Sequence, residues 1–300
     1  MSATAVARVL AAAVGGRWAV QPLHASGFCA TWRAQSEGAV LFVKSLPQAS
    51  VQVLEAEADG LAALAQTRTV RVPSVIACAT QAEHDVAVLA LEWLDLHAMD
   101  PASGERFGRA VAALHRAAPP AGDGRFGWRR DNLLGRTPQR NRWSDDGGLE
   151  GWLAFFGEQR LLAMSERLVE SGVTSLAQPI DALVRALPSF FADGHEPRAS
   201  LIHGDLWSGN WGMLADGTPV VYDPAVCCAD AEAELAMMEL FGSPPAGFWA
   251  AYREAAGLHA GYARRRGLYQ LYHLLNHALL FGGAYVRQSA GLLTQLLRTA

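Results

Sequence analysis

The sequence has little of several features that would place it in other classes of protein. No apolar run among its 300 residues is long enough to cross a membrane, so no transmembrane helix is expected. Its four cysteines follow no zinc-ligand spacing and are too few for a disulfide framework, which favours a reducing, cytoplasmic setting. A formal net charge of −4 argues against nucleic acid or an anionic membrane as a partner.

Lysine is nearly absent, since Lys44 is the single one among 25 basic residues. A coding bias toward arginine would remove lysines without any functional meaning. A compact ammonium is nevertheless not interchangeable with a planar guanidinium. The surviving lysine is therefore expected where only lysine fits. Its strand-like flanks, LFVKSL, match the context of a lysine that pairs with nucleotide phosphates.

Polar residues are present at the ends of short apolar segments in the second half of the chain. Within residues 201–213, LIHGDLWSGNWGM, Asp205 follows a predicted strand and Asn210 comes five residues later. Residues 220–222 predict another strand, which delivers Asp223. Phosphoryl transfer needs a carboxylate that accepts a hydroxyl proton, and an amide and a carboxylate that hold Mg²⁺. The alternative is an ordinary polar turn between two strands.

The order H-x-D-x-x-x-x-N followed by D resembles the catalytic loop and metal-binding aspartate of the protein-kinase fold. The arginine of H-R-D is Gly204 here, and D-F-G is replaced by Asp223-Pro224-Ala225. Both departures resemble the small-molecule kinases of that fold, such as aminoglycoside and choline kinases. The resemblance implies an α+β, two-lobed protein-kinase-like fold. Its N-terminal lobe would be a small β-sheet with one key helix, and its C-terminal lobe would be larger and mainly helical.

Residues 1–95 are predicted to form the N-terminal, nucleotide-binding lobe. An amphipathic helix is expected at 3–14, and three short antiparallel strands are expected at 18–23, 31–34 and 39–45. A further strand is expected to start at Val72-Pro73. Gly27 lies in the loop after the first strand, which would cover the nucleotide. A single glycine is explained equally well by an ordinary hairpin loop.

A helix and a hinge complete this lobe. The amphipathic helix predicted at 51–64 carries Glu57, which is expected to pair with Lys44 because it lies midway along the helix. A solvated carboxylate is the alternative. After the next buried strand, the backbone around Glu92 and Leu94 is expected to bind adenine.

Residues 96–300 are predicted to form the catalytic and acceptor-binding lobe. Helices are expected at 102–117, 148–171, 176–192, 230–241, 248–256, 260–265, 268–280 and 285–298. Between the first two lies a stretch rich in glycine, arginine and tryptophan, 119–146. A connection of this length in a compact domain is usually functional or disordered, and its interleaved aromatics argue against disorder.

Four stretches together resemble the fructosamine kinase (ketosamine-3-kinase) family, and the resemblance covers nearly the whole chain. They are FGWRRDNLLGRTPQRNRW at 126–143, HGDLWSGN at 203–210, DPAVCCADAEAELAMMELFG at 223–242 and YQLYHLLNHALLFGGAY at 269–285. Trp207 distinguishes this family from aminoglycoside and choline kinases. The resemblance implies ATP, Mg²⁺ and transfer of the γ-phosphoryl to the C-3 hydroxyl of a protein-bound or free ketosamine. The unstable 3-phosphate would then release the amine, which is deglycation.

Carried onto the matching positions, the resemblance gives each residue of the cluster a role. Asp205 would orient and deprotonate the sugar hydroxyl, while Asn210 and Asp223 would hold Mg²⁺. Lys44 would bridge the α- and β-phosphates and would be steadied by Glu57. Positioning and charge neutralisation would supply most of the catalysis.

Two further residues are expected to contact the acceptor. Trp207 would present its indole face to the sugar, and His277 would form a hydrogen bond with the ketosamine. The alternatives are a core tryptophan and a satisfied core histidine. His273 shares a helix face with His277, but no third ligand suggests a metal site. Cys29, near the expected phosphate site, is either an oxidisable thiol or an inert one.

The segment after Asp223 departs from the family pattern. Cys227-Cys228-Ala229 stands where the family usually has two aromatics and a glycine, Ala231 replaces an arginine and Glu234 replaces an aspartate. These changes leave the acceptor open but leave the phosphoryl-transfer residues in place.

Two other functions stay open at this point. One is a kinase of a different hydroxylated amine or amino sugar, and the other is a pseudokinase that binds nucleotide without turnover. The leading expectation is a cytoplasmic enzyme, monomeric or weakly dimeric, whose partner is a glycated amine or a glycated protein.

Overall fold

The computed structural model describes residues 1–25, 28–119 and 122–300. The helices are Ala3–Val14 (α1), Val51–Thr67 (α2), Pro101–Arg116 (α3), Gly148–Phe155 (α4), Ala163–Glu170 (α5), Ala177–Ala186 (α6), Ala231–Met238 (α7), Phe248–Ala256 (α8), Tyr262–Phe281 (α9) and Gly283–Thr299 (α10). The strands are Ala19–Ala25 (β1), Ala30–Ser36 (β2), Ala39–Leu46 (β3), Val75–Gln81 (β4), Val86–Glu92 (β5), Asn132–Leu134 (β6), Thr137–Gln139 (β7), Ser200–Ile202 (β8), Trp211–Met213 (β9), Pro219–Val221 (β10) and Cys227–Ala229 (β11).

The N-terminal strands form one antiparallel sheet in the order β1-β2-β3-β5-β4. Successive side chains of a strand point to opposite faces, and β5 is apolar on both because each face is covered. One face belongs to a cluster with α1, which includes Val6, Leu10, Val88 and Ala90. The other face, with Leu89 and Leu91, belongs to the main core together with α2 residues Leu54 and Leu61. The predicted N-terminal helix and the first three predicted strands are therefore confirmed, with small differences in where the strands begin and end.

Two predictions of element boundaries are wrong. No strand starts at Val72-Pro73; β4 begins at Val75, after the proline that has no N–H to give to a sheet. The helices expected at 260–265 and 268–280 are one helix, α9. Gly267 continues this helix, and a Cβ there would make only an ordinary van der Waals contact, 3.4 Å from Leu292 of α10, so the packing of the two helices does not require glycine.

The two helices predicted after residue 147 are present but irregular. The first contains a π-helical stretch, Phe156–Leu162, between α4 and α5. The second ends its α-helical part at Ala186 and continues as the 3-10 stretch Leu187–Phe191. Pro188 at the start of that stretch has no backbone N–H for a regular helical hydrogen bond.

Two short antiparallel pairs carry the region that holds the polar cluster. β9 and β10 form a hairpin in which Trp211 pairs with Val221. β8 pairs with β11, so that Ile202 faces Cys227. Asp230 begins α7 by accepting a hydrogen bond from Glu232 N at 3.2 Å, as its predicted position at the helix start implies. Among the described residues, no helix combines the length and the apolar character needed to cross a membrane.

Candidate active site

A cavity of about 640 Å³ lies between the N-terminal sheet and the helical part of the chain. Most of the site residues predicted from the sequence line this cavity, although they are far apart in the chain. They are Lys44, Glu57, Asp205, Trp207, Asn210, Asp223 and His277. The strands and the α2 and α9 helices therefore bring one predicted set of residues to a single place.

Lys44 is buried on β3 and touches two carboxylates. Its Nζ lies 2.8 Å from Glu57 Oε1 and 2.6 Å from Asp223 Oδ1, so the predicted pair with Glu57 is present. Burial lowers the pKa of Lys44, but the charges and hydrogen bonds of Asp223 and Glu57 outweigh it and raise that pKa above its ordinary value. Lys44 is therefore a permanent cation at the floor of the cavity.

The acidic residues of α2 divide between two environments. Glu57 faces Lys44, whereas Asp59 accepts a hydrogen bond from Trp128 Nε1 at 2.7 Å, and Glu55 lies 3.3 Å from Arg130 Nη2. The contacts of Asp59 and Glu55 both involve residues of the tryptophan- and arginine-rich stretch at 126–143. They tie α2 to that stretch and so fix the position of Glu57.

Asp205 is half-buried near the start of the loop between β8 and β9. Burial and the nearby Asp223 charge raise its pKa to about 7, against the opposing hydrogen bond from Asn210. Asn210 Nδ2 donates to the Asp205 carbonyl at 2.7 Å and to Asp205 Oδ2 at 3.3 Å. A carboxyl that titrates near neutrality suits a group that takes and releases a proton at working pH.

Asn210 and Asp223 have the chemistry of a magnesium site. The Asn210 amide nitrogen faces two acceptor oxygens, so its Oδ1 is turned away from Asp205. Within the described residues no hydrogen bond reaches Asn210 Oδ1 or Asp223 Oδ2, and the Asp223 side chain is 45% exposed. Carboxylate and amide oxygens are hard ligands that suit Mg²⁺. The donor set therefore fits that ion.

Backbone geometry at two positions holds this cluster in place. Asp223 has a φ of 60°, a left-handed conformation that is uncommon outside glycine and often marks functional sites. Gly204 has a φ of 85°, and a Cβ there would overlap the carbonyl oxygen of Ala225. The close approach includes a hydrogen bond from Ala225 N to His203 O at 2.8 Å. An arginine is therefore excluded from position 204 by sterics.

Glu234 supports the loop that carries Asp205, and the sequence did not predict this contact. Its carboxylate, fully buried under the catalytic loop, accepts hydrogen bonds from His203 N at 3.1 Å and Gly204 N at 2.7 Å. His115 Nε2 lies 3.0 Å from the same carboxylate and Tyr252 Oη lies 2.9 Å from His115 Nδ1. Burial raises the pKa of Glu234, but the His115 contacts outweigh it and lower that pKa. The sequence signal was only that this position departs from an aspartate.

Glu234→Gln is expected to lower kcat by about 10-fold, since the loop that carries Asp205 loses part of its support. An amide offers one acceptor oxygen in place of two, so a buried N–H loses its partner and the free energy of unfolding falls by about 1–3 kcal/mol. Steady-state kinetics and urea unfolding measure both effects. Glu254→Gln, at a site 78% exposed on α8, is the control and should change neither. Equal kcat in the two variants would contradict the role of Glu234.

The 126–143 stretch supports the segment that follows Asp223. Asn132 Nδ2 donates to Val226 O at 2.8 Å, and Gln139 Nε2 donates to Ala225 O at 3.2 Å. Gln139 also donates to Asn132 Oδ1 at 2.9 Å across the β6–β7 pair. These amides explain the asparagine and glutamine spacing in this stretch, which the sequence alone left without a physical role.

The cavity lining does not include the residues predicted to bind adenine. Glu92 and Leu94 are not among the described residues that line it. Both Arg71 Nη2 contacts to the Glu92 carboxylate measure 2.6 Å, and they lower the pKa of Glu92 against the effect of its burial. Gly27 lies outside the described residues. Adenine binding at the backbone of the hinge stays a prediction.

The two residues that the sequence predicts to contact the acceptor line the same cavity as Lys44. Trp207 is 37% exposed, so the alternative of a core tryptophan is wrong. His277 is half-buried, and its Nδ1 donates to the His273 carbonyl oxygen at 2.9 Å. Because a carbonyl only accepts, Nδ1 carries a hydrogen, so in the neutral ring Nε2 is an acceptor. Burial lowers the pKa of His277, which favours that neutral form.

Sequence comparison places the chain among known kinases. The model of the "Fructosamine kinase" family matches residues 3–299. A "Probable ketoamine kinase" of Synechocystis sp. is 42% identical over 260 residues, which is 86% of this chain and 83% of that protein. The "Protein-ribulosamine 3-kinase, chloroplastic" of Arabidopsis thaliana is 34% identical, covering 88% of this chain and 78% of the relative.

Solved structures agree with the sequence comparison. A candidate fructosamine-3-kinase from Thermobifida fusca superposes with a TM-score of 0.83 at 32% identity, covering 99% of this chain and all of that one. The aminoglycoside phosphotransferase APH(4)-Ia, in a complex with AMP-PNP and hygromycin B, has a TM-score of 0.61 at 14% identity, with 99% of each chain covered. The predicted α+β, protein-kinase-like fold is confirmed.

Proposed function

The chain belongs to the fructosamine kinase family, and we propose that it transfers the γ-phosphoryl of ATP to the C-3 hydroxyl of a fructosamine or ribulosamine. Members of this family are kinases that phosphorylate hydroxyl groups of ketoamines. The observation that carries the proposal is one cavity that holds both sets of groups. Lys44, Asn210 and Asp223 lie in it beside Asp205, and Trp207 and His277 line it on the acceptor side.

The nucleotide is proposed to bind where the charged residues meet. Lys44 would place its ammonium against the α- and β-phosphates, and Glu57 would keep it there through the 2.8 Å ion pair. Asn210 Oδ1 and Asp223 would hold Mg²⁺, which when bound neutralises charge on the phosphates. The present contact of Lys44 with Asp223 would then be exchanged for contacts with the phosphates.

Asp205 is proposed as the proton acceptor. The sugar hydroxyl oxygen forms a bond to the γ-phosphorus, and the bond from that phosphorus to the β,γ-bridging oxygen breaks. The hydroxyl proton passes to the Asp205 carboxylate. The Asn210 contact at 3.3 Å keeps one carboxylate oxygen oriented, which leaves the other for the substrate.

Nucleotide and acceptor are proposed to bind to different lobes. We propose that residues 1–95 bind the nucleotide, with adenine at the backbone near Glu92 and Leu94, and that residues 96–300 bind the acceptor. Trp207 would stack on the sugar, and His277 Nε2 would accept a hydrogen bond from the ketosamine. The proposed substrate is a glycated amine, either free or on a protein, and the proposed outcome is deglycation in the cytoplasm.

ADP release against a panel of acceptors tests this function. The panel contains a fructose–amine adduct, a ribulose–amine adduct, an aminoglycoside and choline, each with ATP and Mg²⁺. Turnover of either ketosamine is the expected result. Turnover of another alcohol alone would reject the acceptor and retain the kinase, and ATP binding without any turnover would favour a pseudokinase.

The pKa of about 7 for Asp205 predicts how the rate depends on pH. Only the ionised carboxylate accepts a proton, so kcat/KM is expected to rise about tenfold per pH unit below pH 7 and to level off above it. A ketosamine titration between pH 5.5 and 8.5 measures this profile. A flat profile over that range would contradict the assignment of Asp205 as the base.

A further inference from the structure

Four aromatic rings form a continuous surface on the acceptor side of the cavity. The His277 ring centre lies 4.4 Å from Phe241, 5.0 Å from Tyr285 and 5.5 Å from Phe281. Phe281 and Tyr285 are 6.1 Å apart. These four residues, here called the aromatic wall, all line the cavity.

The chain builds the aromatic wall at a helix corner. α9 ends at Phe281, and Gly282 turns the chain into α10 with a φ of 63°. Tyr285 N donates to Gly282 O at 3.1 Å, which starts the next helix within one turn. Phe281 and Tyr285 therefore meet across the corner. Phe281 is 59% exposed, which leaves one ring of the wall open to solvent at the edge of the cavity.

The aromatic wall has no charge of its own. Among the described residues that line the cavity, acidic and basic side chains are confined to Lys44, Glu57, Asp205 and Asp223. Lys44 comes from β3 and Glu57 from α2, whereas Asp205 and Asp223 follow β8 and β10, so none of the four lies on α9 or α10. Burial of the His277 ring lowers its pKa and outweighs the opposite effect of the His273 carbonyl, which favours the neutral ring. The aromatic wall therefore offers no carboxylate that could replace the water around the extra charges of an acceptor with several ammonium groups.

We propose that the aromatic wall is the subsite for the amine-borne substituent of the ketosamine. It selects acceptors with one ammonium group and an aliphatic or aromatic substituent over acceptors that carry further ammonium groups. This inference rests on the proposed function.

Two interactions support this selection. The single secondary ammonium of a ketosamine is attracted to the faces of Phe and Tyr rings, and the His277 Nε2 lone pair accepts from its N–H. Beyond the nitrogen, an apolar substituent removes ring surface from water, including that of exposed Phe281. The amine is attached at C-1, two carbons from the reacting C-3 hydroxyl, so a sugar placed at Asp205 brings its substituent to the neighbouring cavity lining.

The test uses adducts of one sugar with matched amines. The ribulose adducts of hexylamine, 3-phenylpropylamine and 1,5-diaminopentane differ in apolar surface and in one extra ammonium. We expect kcat/KM for the first two to exceed that for the diamine adduct by about 10-fold or more.

Variants of the wall sharpen the test. Phe281→Ala and Tyr285→Ala are expected to raise KM for the phenylpropyl adduct about 5- to 10-fold with kcat within about 2-fold, and to raise KM for the diamine adduct by a smaller factor. Phe281→Glu should raise kcat/KM for the diamine adduct. Ile76→Ala, at an exposed apolar residue of β4 outside the cavity lining, is the matched control and should change neither.

The outcomes separate the two proposals. Equal kcat/KM for the three adducts, or wall variants that behave as Ile76→Ala does, would overturn the aromatic wall as a subsite while the kinase function stands. Absence of turnover on every ketosamine would overturn the proposed function and the subsite with it. Because Phe281 is exposed, its variants should keep the wild-type melting temperature, and thermal unfolding checks that a KM change reports binding.

Discussion

Asp205→Asn is expected to lower kcat by about 10³-fold, because an asparagine cannot take the hydroxyl proton during phosphoryl transfer. The amide keeps the size of the carboxyl, and Lys44, Asn210 and Asp223 stay in place for the nucleotide. The affinity for Mg·ATP should therefore change by less than about threefold. ADP release gives kcat, and calorimetric titration with a non-hydrolysable nucleotide gives the affinity.

The same variant is expected to gain stability at pH 8. The pKa of Asp205 is raised from its ordinary value of 3.8 to about 7 in the folded chain, so ionising this group costs folding free energy as pH rises from about 4 through 7. Asparagine removes that cost. The melting temperature of Asp205→Asn should exceed that of the wild type at pH 8, and the difference should vanish near pH 4. A variant that keeps most of its turnover would show that Asp205 is not the base.

Lys44→Arg is expected to lower kcat/KM by about 10²-fold or more, although it conserves the charge. Lys44 Nζ lies within 2.8 Å of Glu57 and 2.6 Å of Asp223, and its side chain is 8% exposed, so a wider planar guanidinium does not fit without moving both carboxylates. The loss should appear in both kcat and the KM for ATP.

Arg109→Lys is the reverse exchange at a surface ion pair with Glu105 and is the matched control. It is expected to leave kinetics and melting temperature unchanged, because an exposed pair contributes little. If Lys44→Arg were equally silent, the single lysine of this chain would reflect coding bias and no requirement of the site.

The sequence was sufficient to predict which residues of the cluster meet where those residues are close in the chain or belong to an easily recognised element. Asp205 and Asn210 lie on one loop, and the short strand before Asp223 is apolar, so their meeting could be predicted from spacing. Lys44 was found because lysine is otherwise absent. Its partner Glu57 followed from the position of one carboxylate on an amphipathic helix, and the structure has this pair at 2.8 Å.

Contacts between distant residues were beyond sequence reasoning. Glu234 supports the catalytic loop through backbone N–H groups of His203 and Gly204, and a backbone donor leaves no side-chain signal. The amides of Asn132 and Gln139 likewise bind carbonyl groups near residue 225. Such partners depend on the packed structure, since they are set by which segments the core brings together.

The errors in helix boundaries have a related cause. Gly267 reads as a break in the helical pattern, because glycine is an unfavourable helix residue. The flanking residues Leu268 and Tyr269 are buried in the main core, so tertiary packing of the helix outweighs the local propensity of Gly267. The aromatic wall was missed in the same way, since Phe241 joins Phe281 and Tyr285 only after α7, α9 and α10 have packed.

The most direct test of ketosamine phosphorylation is the structure of the product. After reaction of a ribulose–amine adduct or a fructose–amine adduct with ATP, ³¹P and ¹H NMR assign the phosphate to a carbon of the sugar. We expect the phosphate on C-3, with decay of this product to inorganic phosphate and free amine. A stable phosphate at another hydroxyl, or ADP formed without any sugar phosphate, would contradict the proposed reaction.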